Sequence, residues 1–297
     1  MRARSPARAA REAVRRGDVF VHGVLPRSGT NYLARALQCH PDLCASPRSV
    51  WEFPHLPNSD PLVTYARSMA RAPNLPELDE DDVLELVGDA WLEWASAGLP
   101  AGRRLVLKEP SVRNLDRFFR FFPRSFLVVL MRDGRDIACS SLRTSFAAPP
   151  RFRLFHPGTY RRAFRSPLGE LARRWRDASR TVRAFLDTPD GRDRARVVRF
   201  EDLVREPESQ LRGMLEFLEL PAEDFAWDSF RALGVRGSSF VGEPGQKLDW
   251  SGRQPTPEDF DPVGRWRSWT EREARRFDAV AGDELARWGY ADAGDSV

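Results

Sequence analysis

The sequence predicts an α/β fold in which a parallel sheet is covered by helices on both faces. Three observations carry this prediction. Short apolar runs rich in valine and leucine recur along the 297 residues. They are nearly continuous rather than alternating, as in strands buried on both faces. Each is followed by a polar turn and then by apolar residues at helical spacing. Strands alternating with helices build parallel sheets, and ligands of such sheets bind beyond the strand C-terminal ends.

The first strand is expected over residues 19–25, followed by the turn Pro26-Arg27-Ser28-Gly29-Thr30-Asn31. A helix starts near Thr30, with Tyr32, Leu33, Ala36 and Leu37 recurring on one face. His40-Pro41-Asp42 ends it, because proline disfavours helix in the residue before it. A short second strand is expected over residues 43–45. Residues 46–60 are proline-rich and irregular and concentrate Arg48, Trp51, Glu52 and His55, so function is expected there. The acidic run from Asp79 to Asp82 caps an amphipathic helix.

Further strands are expected over residues 104–108, 125–131 and 195–200. Helices are expected over 112–122, from Arg132-Asp133-Gly134-Arg135-Asp136 onward, and over 168–186, 206–218 and 268–288. Residues 143–166 mix proline, arginine and phenylalanine without periodicity and read as a lid loop, and residues 234–262 as a second irregular stretch. Residues 1–16 form a basic N-terminal arm, and no repeat or compositional break divides residues 17–297, which are expected to be one domain.

Composition narrows the function classes. With 41% hydrophobic and 30% charged residues, the chain has the makeup of a soluble globular protein. A formal charge of +4 gives no reason to expect nucleic acid as a partner. No apolar run approaches the roughly 20 residues of a membrane span, and the arginine-rich start lacks the apolar centre of a signal peptide. Cys39, Cys44 and Cys139 lack metal-ligand spacing and read as reduced thiols, so the expected compartment is the cytoplasm. Among the 47 basic residues only Lys108 and Lys247 are lysines, which singles them out.

The first turn is an anion site in the making. A strand, a glycine-containing turn and a helix N-terminus direct backbone N–H groups and a positive dipole end at one point. It fails as a nucleotide-triphosphatase loop, which needs four residues between its glycines and then Lys-Ser/Thr. Here five residues separate Gly23 from Gly29, and Thr30-Asn31 follow. The basic residue lies within the turn instead, as Arg27. A second motif offers a partner: Arg132 leaves a strand and Ser140 lies eight residues on, so a guanidinium and a hydroxyl could share one phosphate.

Pro-Arg-Ser-Gly-Thr-Asn-aromatic-Leu resembles the 5′-phosphosulfate loop of the sulfotransferases that use 3′-phosphoadenylyl sulfate (PAPS). Arg132-Asp133-x-Arg135-Asp136 with Ser140 is similar to the family's 3′-phosphate motif. Three further segments resemble family elements in order: Val198-Arg199-Phe200-Glu201-Asp202-Leu203, Val235-Arg236-Gly237, and Val263-Gly264-Arg265-Trp266. The likeness spans about residues 18–290 and is closest in motif to the branches acting on carbohydrate and on protein tyrosine.

The resemblance implies a five-stranded parallel sheet in a three-layer, nucleotide-kinase-like architecture, and PAPS as co-substrate with no metal required. It implies that Arg27, Ser28, Gly29, Thr30 and Asn31 hold the 5′-phosphosulfate and that Arg132 and Ser140 hold the 3′-phosphate. Phe200 then lies near the adenine, and Arg236 and Gly237 close over the 3′-phosphate. Arg27 and Lys108 are implied on the leaving phosphate. Glu52 is the expected base, with His55 as its rival because an imidazole's ordinary pKa suits that role; His22, His40 and His156 read as structural. A P-loop kinase and a non-catalytic nucleotide-binding module are the alternatives. The acceptor, whether small molecule, carbohydrate, lipid or peptide, is left open.

Overall fold

The computed structural model describes residues 17–50, 52–145, 167–233 and 261–290. The N-terminal arm, nearly all of the expected lid, and Arg236 and Gly237 lie outside the described residues.

Five strands form one sheet: β1 (Val19–Gly23), β2 (Leu43–Cys44), β3 (Arg104–Glu109), β4 (Phe126–Met131) and β5 (Ala195–Arg199). All pairings are parallel and the order is β2-β3-β1-β4-β5. From β1 the chain goes first to the outer edge at β2, returns to place β3 beside β1, and then crosses to the other side. The crevice where that direction reverses is where open α/β sheets place ligands. Val21 pairs with Lys108 and Gly23 with Leu130, so the loops after β1, β3 and β4 leave one edge side by side.

Side chains alternate across the sheet, as the two-residue strand period requires. Val19, Val21, Val106 and Val128 face a cluster with Leu33 and Leu37 of α1 (Thr30–Leu37). Phe20, Leu105, Leu107 and Val129 face the opposite cluster. That cluster includes residues of α2 (Asp60–Met69), α3 (Glu80–Ser96), α4 (Phe118–Phe121), α5 (Gly134–Ser145), α6 (Pro167–Leu186) and α11 (Glu271–Arg287). On the β5 side, α7 (Pro189–Arg194) precedes the strand, and α8 (Phe200–Arg205), α9 (Pro207–Phe217) and α10 (Trp227–Leu233) follow it. Apolar burial on both faces accounts for the three-layer architecture that the sequence predicted.

Three boundaries differ from expectation for local reasons. The first strand stops at Gly23 because Leu25 turns inward on Ser28. The Leu25 N–H donates to the Ser28 hydroxyl at 3.2 Å, and that hydroxyl donates to the Leu25 carbonyl at 2.6 Å. Residues 112–122 are not one helix. Asn114 adopts a left-handed conformation (φ 58°) and its amide donates to the Leu56 carbonyl at 2.9 Å, leaving a 3-10 turn before α4. The last helix begins at Glu271 rather than Ser268, set by a capping box between Thr270 and Glu273.

Trp175 of α6 is fully buried, and its indole N–H donates to the Arg132 carbonyl at 2.9 Å. The backbone of Gly134 lies against that ring, where an added Cβ would come within 2.5 Å of Trp175 carbon atoms. Gly134→Ala is therefore expected to lower stability by about 1–3 kcal/mol through overpacking, read as an earlier urea midpoint. An unchanged midpoint would show that Trp175 gives way freely.

Candidate active site

The turn after β1 is built around a strained residue. Arg27 has φ 80°, a left-handed conformation that costs a non-glycine residue about 1–2 kcal/mol. In return its carbonyl accepts from the Arg132 guanidinium at 2.7 Å. Its own Nε donates to the Ser140 hydroxyl at 2.9 Å. Two motifs separated by about a hundred residues of sequence are thus joined through both the backbone and the side chain of one residue. Gly29 follows with φ 97° and forms the N-cap of α1, with no side-chain cap and no acidic residue in the first turn. The leading amides of a helix have no intrahelical acceptor, so this end offers donors and partial positive charge to an anion.

Arg132 is almost wholly buried and lies over the Phe200 ring at 4.4 Å, with a second bond to the Pro262 carbonyl. Its Nε is buried without a hydrogen-bond partner, a donor that an anionic oxygen would satisfy. Phe200 is itself buried between Arg132, Tyr32 and the backbone of Gly29. Its ring serves as the platform for Arg132. Glu201 holds the same loop by accepting from the Asp133 N–H at 2.8 Å, while the Tyr290 hydroxyl donates to its other oxygen at 3.0 Å.

A third arginine, which the sequence reading had not placed in the site, belongs to this group. Burial and the nearby Arg132 and Arg265 guanidiniums push Arg27 down to about 10. Arg265 is delivered by Asp136, whose carboxylate accepts from the Gly264 N–H at 2.7 Å and the Trp266 N–H at 3.2 Å. The signal in the sequence was the second acid of Arg-Asp-Gly-Arg-Asp, but its partner lies far along the chain. Arg132 and Arg265 thus both depress Arg27, a concentration of positive charge suited to a multiply charged anion.

The other pair lies on the β3 side. Lys108 Nζ meets Glu52 Oε1 at 3.2 Å; the lysine is 7% exposed and the glutamate 48%. The Phe53 N–H donates to the Lys108 carbonyl at 2.9 Å and ties the loop carrying Glu52 to the strand end. Burial lowers the Lys108 pKa, while Glu52 and Glu109 act against that shift. The next residue, Glu109, is buried, and burial and Glu52 push its carboxyl up to about 7.

His55 is placed differently. Its ring packs against Phe121 at 4.4 Å, Phe122 at 5.2 Å and Phe53 at 5.7 Å, and burial pushes it down to about 4. Of the two candidate bases, Glu52 is the one that meets Lys108. His22 and His40 bond to the Ser111 and Pro221 carbonyls, in keeping with structural roles, and His156 lies outside the described residues. Among the described residues, no group of three or more His, Cys, Asp or Glu side chains is placed to hold a metal ion. No helix among them is long and apolar enough to cross a membrane.

Fold and site together define an α/β protein of the P-loop-like type, with a cationic site at the strand C-terminal edge suited to a nucleotide anion. A family model described as "Sulfotransferase family" matches residues 18–224. The chain is 25% identical over 277 residues to protein-tyrosine sulfotransferase 1 of Danio rerio, covering 92% of this chain and 72% of that protein. It is 25% identical over 285 residues to protein-tyrosine sulfotransferase 2 of Gallus gallus, covering 92% and 69%. Among solved structures, the sulfotransferase domain of the Synechococcus PCC 7002 olefin synthase shares the fold at TM-score 0.55 and 20% identity, covering 93% of this chain and 95% of that one. The chain belongs to the sulfotransferase family. It is a PAPS-dependent enzyme of sulfuryl transfer, and the kinase alternative is not favoured.

Proposed function

We propose that the acceptor hydroxyl attacks the sulfur in line, with Glu52 serving the hydroxyl and Arg27 and Lys108 serving the leaving phosphate. The O–S bond to the acceptor forms as the bond from sulfur to the bridging oxygen breaks, and that electron pair leaves on the 5′-phosphate. Glu52 takes the hydroxyl proton. Arg27 and Lys108 meet the charge that grows on the departing oxygen, which favours the transition state over the ground state. Arg132, Ser140 and Arg265 hold the nucleotide end, with Phe200 fixing Arg132. The Arg27–Ser140–Arg132 contact carries this reading, because it joins the two expected phosphate sites.

An acceptor with a phenolic or sugar hydroxyl is part of the proposal; the relatives' names point to protein tyrosine. A cytoplasmic setting is part of the proposal; Cys39 and Cys44, only five positions apart, form no disulfide with each other.

Thermal shift with adenosine 3′,5′-bisphosphate against ATP-Mg²⁺ tests the nucleotide, and stabilisation by ATP alone would overturn the reading. Glu52→Gln is expected to keep bisphosphate binding and to lose about 10²–10⁴-fold in turnover on an acceptor panel that includes tyrosine peptides and simple phenols. An unchanged rate would remove Glu52 from the role. Bisphosphate binding with no turnover by the wild-type protein on any acceptor would favour a binding module.

A further inference from the structure

Glu109 is a buried acid that the reaction as described does not use. It closes β3, stands opposite His22 in the β1 register, and is only 6% exposed. Its Oε2 is buried without a hydrogen-bond partner. The neighbouring lysine is engaged elsewhere, with Nζ of Lys108 on Glu52 at 3.2 Å. One buried cation thus sits among two carboxyl groups, and only one of these has it as a hydrogen-bond partner. An ionised carboxylate with one oxygen buried and without a donor is costly, whereas the protonated acid is tolerated.

We propose that Glu109 is a positioning residue for Lys108. Its carboxyl is neutral whenever nucleotide is bound, so that seating the nucleotide takes up a proton at Glu109 and leaves Lys108 to the 5′-phosphate. The inference rests on the placement of that phosphate at Lys108 under the proposed function. When an anionic phosphate joins Glu52 beside Glu109, ionisation of Glu109 becomes harder still, because like charges disfavour the charged form. A negatively charged Glu109 would also compete with the phosphate for the ammonium.

The surrounding titratable groups do not supply the same effect near neutrality. His22, on β1, is buried and pushed down to about 4, as is His55 beyond Phe53. Lys108 is the group being positioned. The carboxyl of Glu109 itself is pushed up to about 7 by burial and by Glu52, so its proton is exchangeable near neutral pH. The complex binds the proton more tightly than the free protein, so affinity falls as pH rises through about 7. The phosphate's own second ionisation, near pH 6, acts in the opposite direction and is common to all variants.

The test is calorimetric titration of the full chain with adenosine 3′,5′-bisphosphate between about pH 6 and about pH 8. It is run in two buffers of different ionisation enthalpy, for wild type and Glu109→Gln. Wild type is expected to take up a fraction of a proton on binding near neutrality. Relative to the glutamine variant, its affinity is expected to fall by about tenfold for each pKa unit by which bound nucleotide raises Glu109. Glu109→Gln, which keeps the shape and removes the titration, is expected to show no such uptake.

Equal pH dependence in the two proteins, or proton uptake that survives in the variant, would overturn the inference. So would a loss of affinity in the variant that is the same at every pH, which is the mark of a merely structural role. Should the variant fail to fold, the absence of proton uptake by wild type alone overturns it. Failure of wild type to bind the bisphosphate at any pH would remove the nucleotide reading itself, and this inference with it.

Discussion

Arg27→Ala is expected to lower turnover by about 10²–10³-fold, the range found when one donor to a developing oxyanion is removed. The acceptor's KM is expected to change little. The reason lies in where the side chain is held. Its backbone keeps a left-handed conformation, which alanine tolerates no worse than arginine, so the turn itself should survive. What disappears is the guanidinium bonded to the Ser140 hydroxyl, which the proposed reaction places on the leaving phosphate. Arg27→Lys restores a charge without the planar fork and should recover part of the rate. Single-turnover measurements at saturating nucleotide separate this loss from one of binding. A rate within about threefold of wild type would move the role to Lys108 or Arg265.

Arg132→Ala is expected to act on the nucleotide instead, weakening adenosine 3′,5′-bisphosphate by about 10²-fold or more, the scale for truncating one partner of a buried charged contact. Its effect should reach further than the phosphate. Arg132 is a cation near Asp133, Asp136 and Glu201, and it counteracts the upward pull of burial on the carboxyls of Asp136 and Glu201. Removing it also frees the Phe200 ring and the carbonyl of Arg27. Ser140→Ala removes a hydroxyl and no charge, so about tenfold or less is expected there. Calorimetry on folded variants, checked by circular dichroism, gives the order. A Ser140 loss equal to that of Arg132 would contradict the charge argument.

The two motifs that carry most of the site were legible because each is local. Pro26 to Asn31 joins a buried strand to a helix N-terminus, and Arg132 leaves another strand at the same edge. Strand direction and loop position follow from adjacent residues, so the edge at which Arg27 and Arg132 meet was legible in the sequence. The same holds for β1, β3 and β4, whose apolar residues are buried along nearly their whole length. Helix boundaries were less legible where a single side chain decided them. Asn114 breaks an otherwise helical stretch by bonding to Leu56, which lies 58 positions away.

By itself the sequence determined the class of fold, the sheet edge at which the two motifs meet, and the residue types offered there. These depend on periodicity and on motifs a few residues long. The tertiary structure alone decided the strand order, the joining of Arg27 to Ser140, the arrival of Arg265 and the isolation of Glu109. It also separated the two candidate bases, turning His55 into the aromatic cluster and leaving Glu52 on Lys108. The physical reason is the same throughout. Charge interactions and burial depend on distance in space, and the groups involved lie tens to more than two hundred residues apart along the chain.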